Sequence, residues 1–551
     1  MQKKLLIFLI VFGCFSCIFA WAQTETVFFV DKNYDSSSRN QIGAFLHATS
    51  SNAYFYLEGK WYFDLEEDEK TLIETNLAKL INEFDKVIYP EMTSSYGFEW
   101  KPGIDNDEKI TVLFHKTKAE VAGYFRNEDE YPRLQSERSN EREMVYLNAE
   151  FLKSTVVKSY LAHEFTHLIT FNQKERKKGV MEMVWLNEAR AEYAPSLLGY
   201  DEDYQNSNLK QRVSHFLASP SNSLIDWEAQ KADYGVISLF IQYLAEKYGA
   251  KVINSSFESF GVGIGSLNEA LKEWNTEKSF ADIFTDWTIA VFLNDCAANN
   301  NFCYQNENLK NIKVPPYLIF LPTAQKTSVS LNYSVKSWAG NWYRIIGGEG
   351  DLKVVFEGKN NVNYKVPYVL CDKDNGCEVD FLSLDELKRG ELSFENFGKA
   401  YSSLTLIPSV QPEGGEDEDV YSFSLDVSLE QNQAELIAEL QRQIAELQRQ
   451  IAELVSQINA ILAQKGSCKI TSNLYLNQRG DQIRCLQEFL KTQPGIYPEG
   501  LVTGYFGFLT RAAVVKFQEK YKEEILFPLG LQKGTGYVGN LTRAKINSFV
   551  K

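Results

Sequence analysis

Apolar positions along the chain keep different rhythms in different stretches. From residue 23 to about 318 the rhythm is mixed. KTLIETNLAKLINEFDKVI puts Ile73, Leu77, Leu80, Ile81 and Phe84 on one helical face. KITVLFH (109–115) and EMVYLNA (143–149) read as short strands. Helices are expected over 154–172, over 187–195 where Pro195 would stop the second, and over 233–249. This alternation predicts an α/β domain.

From about 319 to 428 the pattern shifts to short β-type runs, SVSLNYSV, NWYRIIGG, LKVVFEG and YKVPYVLCD, broken by Gly, Asn and Asp turns. A β-sandwich accessory domain is the expectation. QPEGGEDEDV (411–420) reads as an acidic linker, or as a long loop before a last strand in YSFSLDV.

The segment 429–465 changes again. Ile437, Leu440, Ile444, Leu447, Ile451, Leu454, Ile458 and Ile461 recur in steps of three and four. Ile at a with mostly Leu at d is the seam of a parallel two-stranded coiled coil. The flanking e and g sites are largely Gln, so charge selects little. A stalk helix packed on its own chain is the alternative. No second heptad segment is present to serve it, which favours a parallel homodimer through 434–464.

The remainder, 466–551, holds an internal repeat. TGYFGFLTRAAVVKF (503–517) recurs as TGYVGNLTRAKINSF (535–549). Thr510 and Thr542 are expected as helix N-caps, with Leu509 and Leu541 as staples, giving a small all-α module.

A chain of 551 residues with 44% hydrophobic content has material for three or four domains. Its net charge of −16 leaves no basic face for phosphates, which excludes a nucleic-acid partner. Residues 1–22 pair Lys3 and Lys4 with an apolar run and an Ala20-Trp21-Ala22 site, so a cleaved signal peptide and secretion are expected. An uncleaved anchor and a lipoprotein signal at Cys14 are the rivals. Beyond this segment six cysteines fall in near pairs, Cys296/Cys303, Cys371/Cys377 and Cys468/Cys485, which favours disulfides over thiolate zinc sites in an exported chain.

The chemistry concentrates in AHEFTHLITFNQKERKKGVMEMVWLNEARAEYA (162–194). His163 and His167, four apart, point the same way from a helix, which suits two imidazoles converging on a zinc ion. Glu164 projects beside such an ion, where a base for its water would sit. Two structural histidines would be the plain alternative. A third ligand is needed, and Glu175, Glu182, Glu188 and Glu192 are the nearest acids. Glu175 falls in the basic turn KERKKG, and Glu182 has no helix to fix it. Glu188 and Glu192 lie one turn apart, so one can bind metal while the other orients a ligand histidine. Asp105 and Asp107 in GIDNDEK alternate as in calcium loops, without the full pattern, so Ca2+ is possible but unsupported and a polar turn is preferred.

HEFTH followed by WLNEARAEYA resembles the gluzincin zinc metallopeptidases, which implies a zincin-type catalytic domain over 23–318. Matched position by position, Glu188 becomes the third ligand and Glu192 the carboxylate behind it. Tyr234 matches a transition-state tyrosine that some gluzincins carry, and His215 is the rival oxyanion donor. SNEREMVYLNAEF and LNDCAANNNFCY more loosely resemble hyicolysin-like secreted metallopeptidases. RGDQIRCLQEFL and YPEGLVTGYFGFLTRAAVVKFQ resemble the three-helix bacterial peptidoglycan-binding domain, which implies a cell-wall partner for 466–551.

Together these readings point to a secreted, wall-associated zinc endopeptidase acting on proteins or peptides. A peptidoglycan cross-bridge peptidase and a non-catalytic wall-anchored adhesin or scaffold are the alternatives.

Overall fold

The computed structural model describes residues 24–322, 327–359, 362–374, 376–414, 419–430, 433–464 and 468–550. The expected signal peptide, with its two cysteines, lies outside the described residues. The chain divides into two compact units, Met1–Asn432 and Gln433–Lys551.

The first unit begins with a six-stranded sheet. Its strands are β1 (Glu25–Phe29), β2 (Gln41–Thr49), β3 (Ala53–Glu58), β4 (Ile110–His115), β5 (Gly123–Phe125) and β6 (Met144–Asn148), in the order β1-β2-β3-β4-β6-β5. Strands β3, β4 and β6 run parallel, and every residue of β4 and β6 is buried. Continuous apolar runs such as ITVLF and MVYL follow from having both faces covered. Strand β5 pairs antiparallel with β6 and closes one end of the sheet, leaving its outer edge unpaired among the described strands.

Ten helices complete the described part of this region: α1 (Gly59–Phe63), α2 (Glu67–Glu83), α3 (Tyr89–Tyr96), α4 (Val157–Thr170), α5 (Val184–Leu197), α6 (Asn208–Ala218), α7 (Lys231–Tyr248), α8 (Ala250–Glu258), α9 (Gly263–Glu273) and α10 (Phe280–Leu293). Phe55 from the sheet, Phe84 and Phe165 meet edge-on in one core. That core continues through α5, α7 and α10.

Two helices differ in extent from expectation. α4 begins at Val157 and runs on as a π-helical turn over Phe171–Arg176. α5 starts before Asn187, at Val184, and carries Pro195 within its last turn instead of ending there. Trp185 and Leu186 explain the early start, since both are buried in the helix's apolar face.

The basic turn after α4 is also not a solvated reversal. Lys174 is buried, donating to the carbonyls of Ser259 at 2.9 Å and Gly261 at 2.6 Å and pairing with Glu182 at 3.2 Å. Arg190 reaches the same Glu182 carboxylate at 2.9 Å.

The β-rich stretch is built on a nine-stranded sheet. Thr327–Lys336 pairs with Val420–Glu430, which pairs with Gly350–Gly358. Tyr317–Leu321 pairs with Tyr343–Gly347, which pairs with Tyr401–Leu406. Residues of both groups, among them Phe356, Phe423, Ile345 and Leu404, share one apolar core. This stretch is not detached from the helices before it. Trp338 packs on Phe280 and Phe284 with ring centroids 5.0 and 5.5 Å away, and Trp342 Nε1 donates to the Thr288 carbonyl at 2.9 Å.

In the second unit, Gln433–Gln464 is one helix of 32 residues. The repeat beyond it forms helices Asp481–Lys491, Phe508–Lys520 and Asn540–Phe549. The N-caps of the last two are Gly507 and Gly539, not Thr510 and Thr542. Those threonines lie three residues inside, where Gln487 and Gln518 Nε2 donate to their hydroxyls at 3.0 Å each. The same glutamines accept from Gly504 and Gly536 backbone N–H groups at 2.8 and 2.9 Å, so each repeat clips its TGY turn to its helix through one buried amide.

Disulfides join Cys296 to Cys303, Cys371 to Cys377 and Cys468 to Cys485, the pairing expected from proximity. Among the described residues no helix is long and apolar enough to cross a membrane.

Candidate metal centre

Helices α4 and α5 pack against each other and present the histidine pair to two glutamates. His163 and His167 Nε2 lie 3.2 Å apart. Glu188 closes the triangle, with Oε2 3.3 Å from His163 Nε2 and Oε1 3.6 Å from His167 Nε2. His163, His167 and Glu188 are the one group of three metal-ligating side chains whose donor atoms all come within 4.8 Å of one another, among the described residues.

Outer contacts orient both rings. His163 Nδ1 faces Glu192 Oε1 at 3.4 Å, and His167 Nδ1 faces Asn187 Oδ1 at 3.1 Å. With each Nδ1 turned to an oxygen acceptor, a proton held there in the metal-bound protein would leave both Nε2 lone pairs facing inward together. The donor set fits a divalent ion: two imidazole nitrogens and one carboxylate, with Glu188 Oε2 buried and accepting no hydrogen bond.

Glu192 is not free to ligate. Arg212 holds it with two hydrogen bonds of 2.8 and 2.6 Å, and Asn208 and Ser238 add donors at 2.8 and 3.2 Å. Burial works against its charge, but Arg212 outweighs it and keeps the carboxyl below the usual range. Glu188 is lowered too, by His167 and His163 against the effect of burial. His163 is disfavoured as a cation by burial, yet Glu188, Glu164 and Glu192 lift it to about 9. Burial lowers His167.

Glu164 is 5% exposed and accompanies the triad without joining it. Burial, then the neighbouring Glu188 and Glu192 carboxylates, pushes it up to about 8. It lies against β5, where a Cβ on Gly123 would come 2.7 Å from Glu164 Oε1. Only glycine leaves that carboxylate its place.

Of the other candidate acids, Glu182 is consumed by Lys174 and Arg190. Glu175 accepts from Asn127 Nδ2 at 3.0 Å. Asp105 and Asp107 cap their own turn, accepting the Asp107 and Lys109 N–H groups at 3.0 Å each.

Tyr234, early in α7, is brought to the cluster. Its ring stacks beneath the Arg212 guanidinium at 4.5 Å and meets Trp227 edge-on at 4.9 Å. Burial, then Glu188 and Glu192, raises its hydroxyl well above the ordinary tyrosine value. Gly235 permits this closeness, since a Cβ there would sit 2.5 Å from the Phe216 backbone nitrogen of α6. His215 lies on α6 between Arg212 and Lys231 in charge terms, with a buried Nδ1 that has no hydrogen-bond partner, and burial lowers its basicity.

Tyr34 was not anticipated. It stands on the turn after β1, 41% exposed, with its ring 5.0 Å from that of Tyr124. Burial and Asp31, and after them the carboxylates of Glu188 and Glu164, raise its hydroxyl above the ordinary value.

No protein-family model matches the chain. The neutral metalloprotease ShpI of Staphylococcus hyicus is 27% identical over 238 residues, covering 38% of this chain and 51% of that protein. The chain therefore matches about half the length of this relative. Among solved structures, the pre-peptidase C-terminal domain of a Bacillus anthracis collagenase is 10% identical and covers 20% of this chain and 96% of that one at a TM-score of 0.15. The lysozyme inhibitor PliG of Salmonella Typhimurium is 13% identical and covers 21% of this chain and all of that one, also at 0.15. Scores this low carry no argument.

Proposed function

We propose that this protein is a secreted zinc-dependent endopeptidase that hydrolyses peptide bonds in proteins. One observation carries the reading: His163, His167 and Glu188 converge while Glu164 stands buried beside them and free of the triad. The partial likeness to a neutral metalloprotease supports the same activity. When bound, zinc would acidify a water molecule and polarise the scissile carbonyl.

The remaining roles belong to the chain. Glu164 takes the proton of the attacking water and passes it to the leaving amine nitrogen. Its burial beside the triad keeps this carboxyl apart from bulk water, so the proton it takes is returned to the substrate. Tyr234 donates a hydrogen bond to the developing oxyanion, with His215 as the other candidate. Glu192 and Asn187 keep the imidazoles aimed. The open edge of β5, next to Glu164, offers backbone groups to an extended peptide.

In this reading 466–551 holds the enzyme to peptidoglycan, and 434–464 pairs two copies in parallel. Glu164→Gln tests the central role. Zinc content by atomic absorption should stay at one per chain, while casein hydrolysis should fall at least ~100-fold. Casein cleavage retained in that variant refutes the assignment. Release of wall peptides from sacculi without casein cleavage would identify a cross-bridge peptidase instead.

A further inference from the structure

A second acidic cluster lies in the first unit, outside the His163–His167–Glu188 group, where the loop 97–109 meets Asn127–Glu130 and the residue before β6. Glu99, Glu130 and Glu143 are 1%, 2% and 2% exposed. Four of their six carboxylate oxygens are buried and accept no hydrogen bond: Glu99 Oε2, both oxygens of Glu130, and Glu143 Oε2. The other two are taken, Glu99 Oε1 by the Tyr89 hydroxyl at 2.8 Å and Glu143 Oε1 by the Ile104 N–H at 2.7 Å.

The Arg142 N–H donates to the Asp129 carbonyl at 3.1 Å, which brings the chain at Glu130 beside the chain at Glu143, and the charges of Glu143, Asp129 and Asp105 all work against ionisation of Glu130. Few cations answer them. Lys101 stands 3.7 Å from Glu99, Arg142 acts on Asp105, and Arg126 faces Asp129 at 3.6 Å. The backbone is shaped to admit the cluster. Gly103 has φ +89°, and a Cβ there would lie 1.8 Å from Glu143 Oε2.

A buried carboxylate with no donor costs several kcal/mol, and two facing each other cost more. The arrangement resolves if a cation sits between them. We propose that Glu130 and Glu143 hold a calcium ion, with Glu99 behind them and Asp105 at the exposed mouth. The donors are all oxygen, which selects a hard cation. Calcium accepts irregular carboxylate sites and completes its shell with carbonyls and water.

The ion would brace the chain beneath the histidine helix. Loop residue Phe98 accepts the side-chain amides of Asn172 and Gln173 at 2.8 and 2.6 Å, and both belong to the turn that continues α4.

The test is calorimetric titration of the zinc-loaded full-length chain with calcium chloride, paired with thermal unfolding. One calcium per chain and a raised Tm are expected. Glu130→Gln and Glu143→Gln should each weaken calcium at least ~100-fold with zinc content unchanged, since each removes a charged ligand. Asp105→Asn, at the surface and tolerant of change, should weaken it roughly tenfold and decides the matter if the buried variants fail to fold. No binding heat and no Tm response up to about 10 mM calcium overturns the proposal. So does calcium affinity that is unchanged in every variant that folds. A Glu130→Gln protein stabilised over a calcium-indifferent parent also overturns it, because the pair would then share a proton.

Discussion

Arg212 and Glu192 form a two-pronged ion pair, Nε to Oε2 at 2.8 Å and Nη2 to Oε1 at 2.6 Å, across α6 and α5. The same Oε1 faces His163 Nδ1 at 3.4 Å. One arginine thus fixes the carboxylate that faces an imidazole proposed to hold the metal. Arg212→Met removes the pair and leaves Glu192 charged and buried. Zinc affinity should fall about 10- to 100-fold, as for loss of an orienting contact behind a ligand. Stability should drop by roughly 3–5 kcal/mol. Competition with a chromophoric chelator and urea unfolding measure the two effects separately.

Tyr234 and His215 make different predictions. The Tyr234 ring lies against Arg212, which holds Glu192, and the Glu188 and Glu192 carboxylates help raise its hydroxyl, whereas His215 is influenced, after burial, chiefly by the cations Arg212 and Lys231. Tyr234→Phe should therefore lower kcat by about 10²-fold with KM little changed, the mark of a contact made in the transition state. His215→Ala should leave kcat within a few-fold. Steady-state kinetics on a fluorogenic peptide decides, and the reverse ranking would transfer the role to His215.

Much of this centre could be read from the chain because helical spacing alone puts His163 and His167 on one face. The choice of Glu188 over three other acids was less accessible. It depends on Arg212, Asn208 and Ser238 occupying Glu192, and on Lys174 and Arg190 occupying Glu182. These partners come from 16 to 46 residues away for Glu192, and no periodic pattern announces them. Lys174 misleads for a related reason: its KERKKG surroundings look solvated, yet the π-helical turn rotates this one side chain inward. Thr510 and Thr542 look like caps until the buried amides of Gln487 and Gln518 are seen to claim their hydroxyls.

Gly123 is a sensitive position beside the proposed ligands. An added Cβ would stand 2.7 Å from Glu164 Oε1 and 2.8 Å from the Tyr146 carbonyl. The carbonyl belongs to the sheet and yields little, so the short edge strand β5 must shift outward and the carboxylate must move with it. Gly123→Ala should keep zinc and fold yet lose most peptidase activity, on the order of 10²-fold for a displaced base. A variant with intact activity would mean that Glu164 reaches its working position by another route.

The helix Gln433–Gln464 carries an apolar seam that nothing in the described structure covers. Ile437, Ile444, Ile451 and Ile458 are 53%, 53%, 61% and 55% exposed, and Leu440, Leu447 and Leu454 are 48%, 57% and 57%. Such exposure along about 48 Å of helix is unfavourable in water, by roughly 25 cal/mol for each Å² of apolar surface left wet. A second copy of the same helix would cover it, and the Ile and Leu alternation suits two parallel strands. Sedimentation equilibrium of the full-length chain should therefore give twice the chain mass. Ile451→Lys, which buries an ammonium at the centre of the seam, should return the monomer while peptidase activity per chain stays unchanged. Because Gln fills the flanking positions, raising the salt should shift the dimer little, whereas pairing held by surface charge would loosen. A monomeric parent chain at micromolar concentration would show that the seam serves some other partner.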